Sequence, residues 1–198
     1  MVEMTKMTVK LTFIEDILGT ASANPELHST YIASKAPDAK KMEEEIAELG
    51  VEAVEEKGMT VFPKEDGKPF LYDYQIKGFF KNACKAMREA DKSRSSKLKA
   101  YKTKIDNQVF IDDRKIFFGG DVEITNLQRP LRASTPQGER VALASSECIK
   151  AGTWVEFTVS SISADMLDLV REWLDYGELN GIGQWHNGGY GRFVWEEV

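Results

Sequence analysis

Trp154 to Ile162 (WVEFTVSSI), the apolar-periodic run Ala164 to Leu174 (ADMLDLVREWL), and Gly181-Ile182-Gly183-Gln184-Trp185-His186-Asn187-Gly188-Gly189-Tyr190-Gly191-Arg192-Phe193 decide the fold between them. The first piece alternates, with Val155, Phe157 and Val159 on one side, as a half-buried strand does. Ser163 then stands at a helix N-cap, and Asp165 suits the positive end of the helix that follows. Met166, Leu167, Leu169, Val170, Trp173 and Leu174 fall at helical spacing on a single face. Gly177 stops that helix, the glycine-rich loop follows, and Arg192-Phe193-Val194-Trp195 reads as a final strand.

Strand, helix, loop and strand make one half of a split βαβ unit, and a second half at the N-terminus completes a ferredoxin-like sheet. The rest of the chain supplies it. Met7 to Ile14 alternates as a strand, and Gly19 follows as its breaker. Asn24 and Pro25 open a helix carrying Leu27, Tyr31 and Ile32, which Pro37 ends. Asp38 to Leu49 reads as a second helix, capped by Gly50. Val61-Phe62-Pro63 is extended, and residues 64–69 form a turn. Tyr74 to Arg88 is a helix with Ile76, Phe79, Phe80, Ala83, Cys84 and Met87 inside and Lys77, Lys81, Lys85 and Arg88 outside. Ser93 to Lys104 reads as a mobile basic arm. Residues 108–118 read as a hairpin, and 123–132 and 139–146 as two strands joined by turn chemistry at 135–138. The expected class is α+β: a ferredoxin-like (RRM-like) antiparallel sheet with helices on one face and an inserted β-hairpin arm. We expect one domain over 1–198, with a basic arm and hairpins inserted over 89–148.

A chain of 198 residues with 42% hydrophobic content needs neither disulfide nor metal to fold. Cys84 and Cys148 stand alone, with no Cys/His cluster, so no metal site and no cofactor is expected. No basic-then-apolar leader is present, and no apolar run approaches the roughly 20 residues of a membrane span. The expectation is a cytoplasmic protein with no membrane partner. The net charge of −6 hides an asymmetry. Lys77 to Lys104 holds ten Lys/Arg against Glu89 and Asp91, a local +8, which leaves −14 on the remainder. Residues 38–56 alone hold eight acids. A basic face on an acidic body is compatible with a nucleic-acid partner and equally with plain solubility.

Glycines in the loop let the backbone take positive φ and approach another chain or ligand closely, and exposed N–H groups there can hold phosphate oxygens. The dinucleotide-binding reading fails on order, because that loop runs from strand to helix and this one from helix to strand. The phosphate-cradling GxxxxGK[ST] pattern is absent too.

Gly181 to Phe193 resembles the C-terminal glycine-rich loop of the RAMP superfamily, whose members are RNA-binding subunits and processing enzymes of CRISPR systems. Gln75-Ile76-Lys77-Gly78-Phe79-Phe80-Lys81 is similar to that family's helix-opening pattern, although Asp73-Tyr74-Gln75 replaces its serine region and Lys81 its arginine. The resemblance implies that Lys77 and Lys81, with Lys85 and Arg88 beyond, lie along an RNA backbone and give salt-dependent affinity. It implies that the loop, Gly181, Gly183, Gln184, Trp185, His186, Asn187, Gly188, Gly189, Tyr190, Gly191 and Arg192, meets splayed bases by stacking or hydrogen bonds. Arg129, Arg132 and Arg140 would belong to a hairpin laid across the strand.

Catalysis has weaker support. His28, Tyr31 and Lys35 share one helical face, a set of types found in RNA cleavage, and His186 sits better as a base contact. Residues 17–24 hold no acid where target-cleaving relatives carry one. No catalytic residue is assigned. Three readings stay open: a non-catalytic protein that binds RNA or single-stranded DNA, a phage-encoded interaction protein that mimics or inhibits a CRISPR complex, and a metal-independent endoribonuclease. Further expected partners are other CRISPR subunits and copies of itself, stacked head to tail.

Overall fold

Strand β1 (Thr5–Phe13) buries Met7, Val9, Leu11 and Phe13 on one side and turns Lys6, Thr8, Lys10 and Thr12 to the other, as a period of two requires. The computed structural model describes residues 4–23, 59–135 and 138–198, with side chains outside 131–143. The expected helices over 24–37 and 38–49, with His28, Tyr31 and Lys35, lie outside the described residues, as do Pro136 and Gln137 of the expected turn. The chain divides into two compact units.

The first unit holds residues 1–17, 63–123 and 149–198. Its sheet contains β5 (Lys64–Glu65), β6 (Lys68–Tyr72), β7 (Val109–Ile111), β8 (Lys115–Gly119), β11 (Trp154–Ser161) and β12 (Phe193–Glu197) beside β1. The order is β12-β1-β11-β8-β6-β5, with β7 also on β11, and every pairing is antiparallel. Apolar residues meet apolar residues across the ladders: Val9 opposite Phe157, Leu11 opposite Val155, Phe13 opposite Phe193. Helices α1 (Asp73–Met87) and α3 (Ala164–Asp175) lay their apolar stripes on this side. Phe79 meets Phe193 edge-on at 5.1 Å, and Phe80 meets Trp173 at 5.7 Å. In order β1, α1, β7/β8, β11, α3, β12, with spatial order β12-β1-β11-β7/β8, this is the ferredoxin-like α+β fold, read correctly from the terminal βαβ segment.

Two local expectations are corrected. Residues 108–118 are not a hairpin. β7 and β8 run in one direction along the same edge of β11, and Ile111 faces Val159 while Phe118 faces Val155. Seven positions on one strand span four on the other, so Asp112 to Arg114 bulge out. The bulge keeps its ladder partly closed: Asp112 N–H donates to Thr158 O (3.0 Å), and Thr158 N–H donates to the Asp113 carboxylate (3.2 Å). Polar residues at the centre of an apolar run looked like a turn because carboxylates that substitute for carbonyls leave no periodic signal. The second correction concerns 93–104. The segment is built, with a 3-10 turn at Ser95–Lys97 and helix α2 (Tyr101–Gln108). Ser163 holds its N-cap position without a side-chain capping bond.

The second unit holds residues 18–62 and 124–148. Its sheet contains β2 (Ile17–Leu18), β3 (Ala21–Ser22), β4 (Thr60–Val61), β9 (Ile124–Thr135) and β10 (Gly138–Ile149), in the order β2-β10-β4-β3 with β9 on β10. Long β9 and β10 form the hairpin arm. Glu147 ties the sheet by accepting the Phe62 N–H on its carboxylate (2.9 Å) and the Gly19 N–H on its carbonyl (2.9 Å). A Cβ on Gly19 would stand 2.4 Å from the Val61 carbonyl carbon, so this glycine permits close packing of two chains. Of residues 89–148, the stretch 89–123 lies in the first unit and 124–148 in the second.

Candidate nucleic-acid interface

The glycine-rich loop has a neck and a head. At the neck the chain leaving α3 crosses the chain entering β12. Ile182 N–H donates to Gly191 O (3.0 Å), and Gly191 N–H donates to Asp16 O (2.8 Å). A Cβ at Gly181 would stand 2.1 Å from the Gly191 carbonyl carbon, and one at Gly191 would stand 1.9 Å from Ile182 O. Gly191 also takes φ +67. Both glycines are therefore steric necessities of the fold. Arg192 pairs with Glu15 (2.8 Å), which commits its charge to the end of β1. Asp16 is likewise tied, to Lys150 (3.0 Å) and to the Ala151 N–H (3.0 Å).

The head runs from Gly183 to Tyr190. Gly183 and Gly189 take positive φ, and so does Trp185, at +55. Gly188 N–H closes a 3-10 turn onto Trp185 O (2.8 Å). The indole lies over Gly188, where a Cβ would meet Nε1 at 2.8 Å. Tyr190 stacks on Trp185, with ring centres 5.2 Å apart and planes within 16°. The indole is nonetheless 44% exposed. His186 Nδ1 lies 3.0 Å from Gly183 O and donates to it, which leaves Nε2 as the ring atom for a ligand. Gln184 and Asn187 are part of the same head, Asn187 exposed. The loop thus offers a flat aromatic pair on a rigid backbone, the arrangement that stacks an unpaired base.

Helix α1 opens with Gln75 accepting the Tyr72 N–H (2.7 Å), so Gln75 has a capping role. Gly78 is exposed, and a Cβ there would meet nothing within 4 Å. Lys77 donates to Asp106 O (3.2 Å) and stands over Phe110 at 5.2 Å, while Lys81 pairs with Asp106 at 2.6 Å. Lys85 is exposed, and the Arg88 guanidinium covers the Tyr101 ring at 5.1 Å. Lys77, Lys81, Lys85 and Arg88 do line one helix. The two nearest the family-like pattern are already engaged by α2. Arg129 lies on β9 in the second unit, and the side chains of Arg132 and Arg140 are outside the described residues.

The α1–α2 connector is the part missed at the level of sequence. Glu172 of α3 accepts the N–H groups of Arg94 (2.6 Å) and Ser95 (2.9 Å) and the Ser95 hydroxyl (2.5 Å). Trp173 Nε1 donates to the same hydroxyl at 2.9 Å. Arg94 pairs with Asp168 at 2.7 Å, and this ion pair, with Arg171 adding to it, holds the Asp168 carboxyl below the usual carboxylate range. Beneath the clamp lies Cys84, whose thiol is pushed up by burial and partly offset by a hydrogen bond to Ser95. A partner 78 residues away leaves no local mark in a sequence. Among the described residues no group of three or more His, Cys, Asp and Glu could hold a metal ion, and no helix is long and apolar enough to cross a membrane.

No protein-family model and no curated protein sequence matches the chain. Solved structures do. The chain is similar to a chain of a type III-B Cmr-beta complex bound to cognate target RNA, with TM-score 0.54 and 10% identity over all of this chain. It spans 60% of that chain. It is similar also to Cmr6 from Pyrococcus furiosus, with TM-score 0.51 and 9% identity, over 98% of this chain and 99% of that one. The likeness is one of fold alone.

Proposed function

We propose that this chain is a non-catalytic RNA-binding protein of the RAMP type that works within a CRISPR effector assembly. The observation that carries the reading is the loop head: a half-exposed Trp185 at positive φ, stacked on Tyr190, above a neck whose glycines Gly181 and Gly191 leave no room for side chains. Such a platform stacks bases without reading their identity, and base–aromatic stacking is worth about 1–3 kcal/mol per base. Gly78 supports it. A glycine in an exposed helix interior costs roughly 0.5–1 kcal/mol against alanine. With nothing near its Cβ position, the open space suits the close approach of a ligand backbone. The non-catalytic part of the reading is supported by the ion pairs at the end of β1, Glu15 with Arg192 and Asp16 with Lys150.

The test is binding of a labelled, unstructured single-stranded RNA by anisotropy, with DNA of the same sequence beside it. We expect Trp185→Ala to weaken RNA binding about tenfold or more and the RNA to stay intact. Equal affinity of wild type and variant sinks the reading, and cleavage without added metal restores the endoribonuclease. Capture of a CRISPR complex by a chain with no RNA affinity marks the mimic or inhibitor instead.

A further inference from the structure

We propose that the α1–α2 connector and the first turn of α2 form a second phosphate-binding surface, which carries the backbone of single-stranded RNA past the end of α1. The proposal rests on the RNA-binding reading above and extends it to residues outside the loop and the α1 stripe.

Three observations carry it. The first is the state of the cations. Lys6, Lys10, Lys81, Arg94, Arg114, Lys115, Lys150, Arg171 and Arg192 each stand in an ion pair. Lys92, Lys97, Lys99 and Lys102 are all exposed, and among the described residues none of them has an ion-pair partner. Glu89 and Asp91 are the only acids between Lys85 and Lys104, against eight Lys/Arg. The uncommitted positive charge of the first unit is therefore concentrated here rather than at Lys77 and Lys81.

The second is construction. Lys92 at φ +69 and Ala100 at φ +50 hold left-handed backbone at the two ends of the segment, a conformation that persists only where the surroundings over-determine it. The surroundings do so. The Glu172 and Trp173 clamp fixes Ser95, the Ser93 hydroxyl donates to Met87 O (2.5 Å), and the Ser96 N–H donates to the Ser93 hydroxyl (3.0 Å). The lysines are thus set on a rigid base, which lowers the ordering cost of binding.

The third is what the surface lacks. Leu98, the connector's one large apolar side chain, is 8% exposed, and from Lys92 to Lys99 every exposed residue is Lys, Arg or Ser. Protein interfaces have an apolar core from which lysine is depleted. Lysine ammonium groups on flexible stems over a polar base suit phosphate oxygens, which they hold as point charges without sequence preference.

The experiment is a salt titration of the full chain with a labelled oligouridylate, comparing wild type with K97E/K99E/K102E. Each lost phosphate contact lowers the slope of log affinity against log salt by about 0.7 for a single strand, so the slope should fall by about 2. Relative to binding near 1 M salt, affinity at about 0.1 M should drop roughly a hundredfold. The neutral K97Q/K99Q/K102Q variant should show a similar loss of slope, and an unchanged thermal midpoint shows that each variant is folded. Trp185→Ala should lower affinity with its slope kept. An unchanged slope in both triple variants, with wild type binding RNA, overturns the connector and leaves the loop reading standing. A loss of self-association in RNA-free sizing, with RNA binding intact, overturns it in favour of a protein contact. A wild type that binds no RNA at any salt overturns both.

Discussion

The glycine-rich loop and the α1–α2 connector are two irregular segments made rigid by opposite means. The loop depends on atoms that are missing: at Gly181 and Gly191 the backbones cross where any Cβ would overlap the other chain. The connector depends on atoms that are present, the Glu172 carboxylate and the Trp173 indole reaching in from α3. One device is written in the segment itself and the other in a distant helix. Their failures should differ accordingly, the first steric and local, the second a loss of partners that leaves buried donors unsatisfied.

The largest effect belongs to the neck of the loop. Gly191→Ala combines a Cβ at 1.9 Å from Ile182 O with a φ of +67, and neither the neck nor β1 can give way. We expect a loss of about 3 kcal/mol or more, a fall of roughly 6–12 °C in Tm for a chain of this size. Gly189→Ala is the control within the same loop. Its φ is +91 but its Cβ would meet nothing within 4 Å, so only the backbone strain remains, about 1 kcal/mol. Equal Tm values for the two variants would remove the distinction between neck and head.

The next effect belongs to the connector. Glu172→Ala leaves two backbone donors and the Ser95 hydroxyl without their acceptor, and Ser95 is fully buried. The cost should be about 2 kcal/mol. Limited trypsin digestion gives a sharper reading, since Arg94, Lys97 and Lys99 become cleavable once the segment is released. Wild type should resist under the same conditions. Equal cleavage of both would mean that the clamp does not hold the connector.

The same contrast explains how much could be read from sequence. The terminal strand, helix and loop were legible because their signals are periodic or local: alternation in β1 and β11, the α3 stripe, glycines at a crossing. The loop residues and the α1 cations were singled out as candidates for that reason. The β7–β8 edge was misread as a hairpin because Asp112 and Asp113 hold a bulge through side chains, and polar residues between apolar runs also describe a turn. The connector was taken for a mobile arm because lysines and serines without periodicity have the composition of a solvated linker. What orders it is contributed by α3, so the feature exists only in three dimensions. The engagement of Lys77 and Lys81 by Asp106 is hidden in the same way.

A smaller effect separates both devices from Gly78, a glycine for which the protein itself gives no steric reason. Gly78→Ala should stabilise the chain by about 0.5–1 kcal/mol, since the site is helical, exposed and open. RNA affinity should fall at the same time. A variant that is more stable and binds equally well would mean that the space above Gly78 is not used by the ligand.

The smallest effect tests the outer tie of the connector. The Arg94 ion pair keeps the folded-state value of Asp168 below its ordinary 3.8, and Arg171 adds to the shift. A depressed carboxylate value means that the pair's contribution is present above the unfolded value and is lost as pH falls through the folded one. Asp168→Asn should therefore lower the denaturant midpoint slightly at neutral pH, and the gap to wild type should close as the pH is taken below the ordinary carboxylate range. The effect stays small because the pair is exposed and screened, and added salt should shrink it further. A gap that persists in acid would show that Asp168 supports the connector through packing rather than charge. The polar hold of α3 on the connector would then rest on the Glu172 carboxylate and the Trp173 indole.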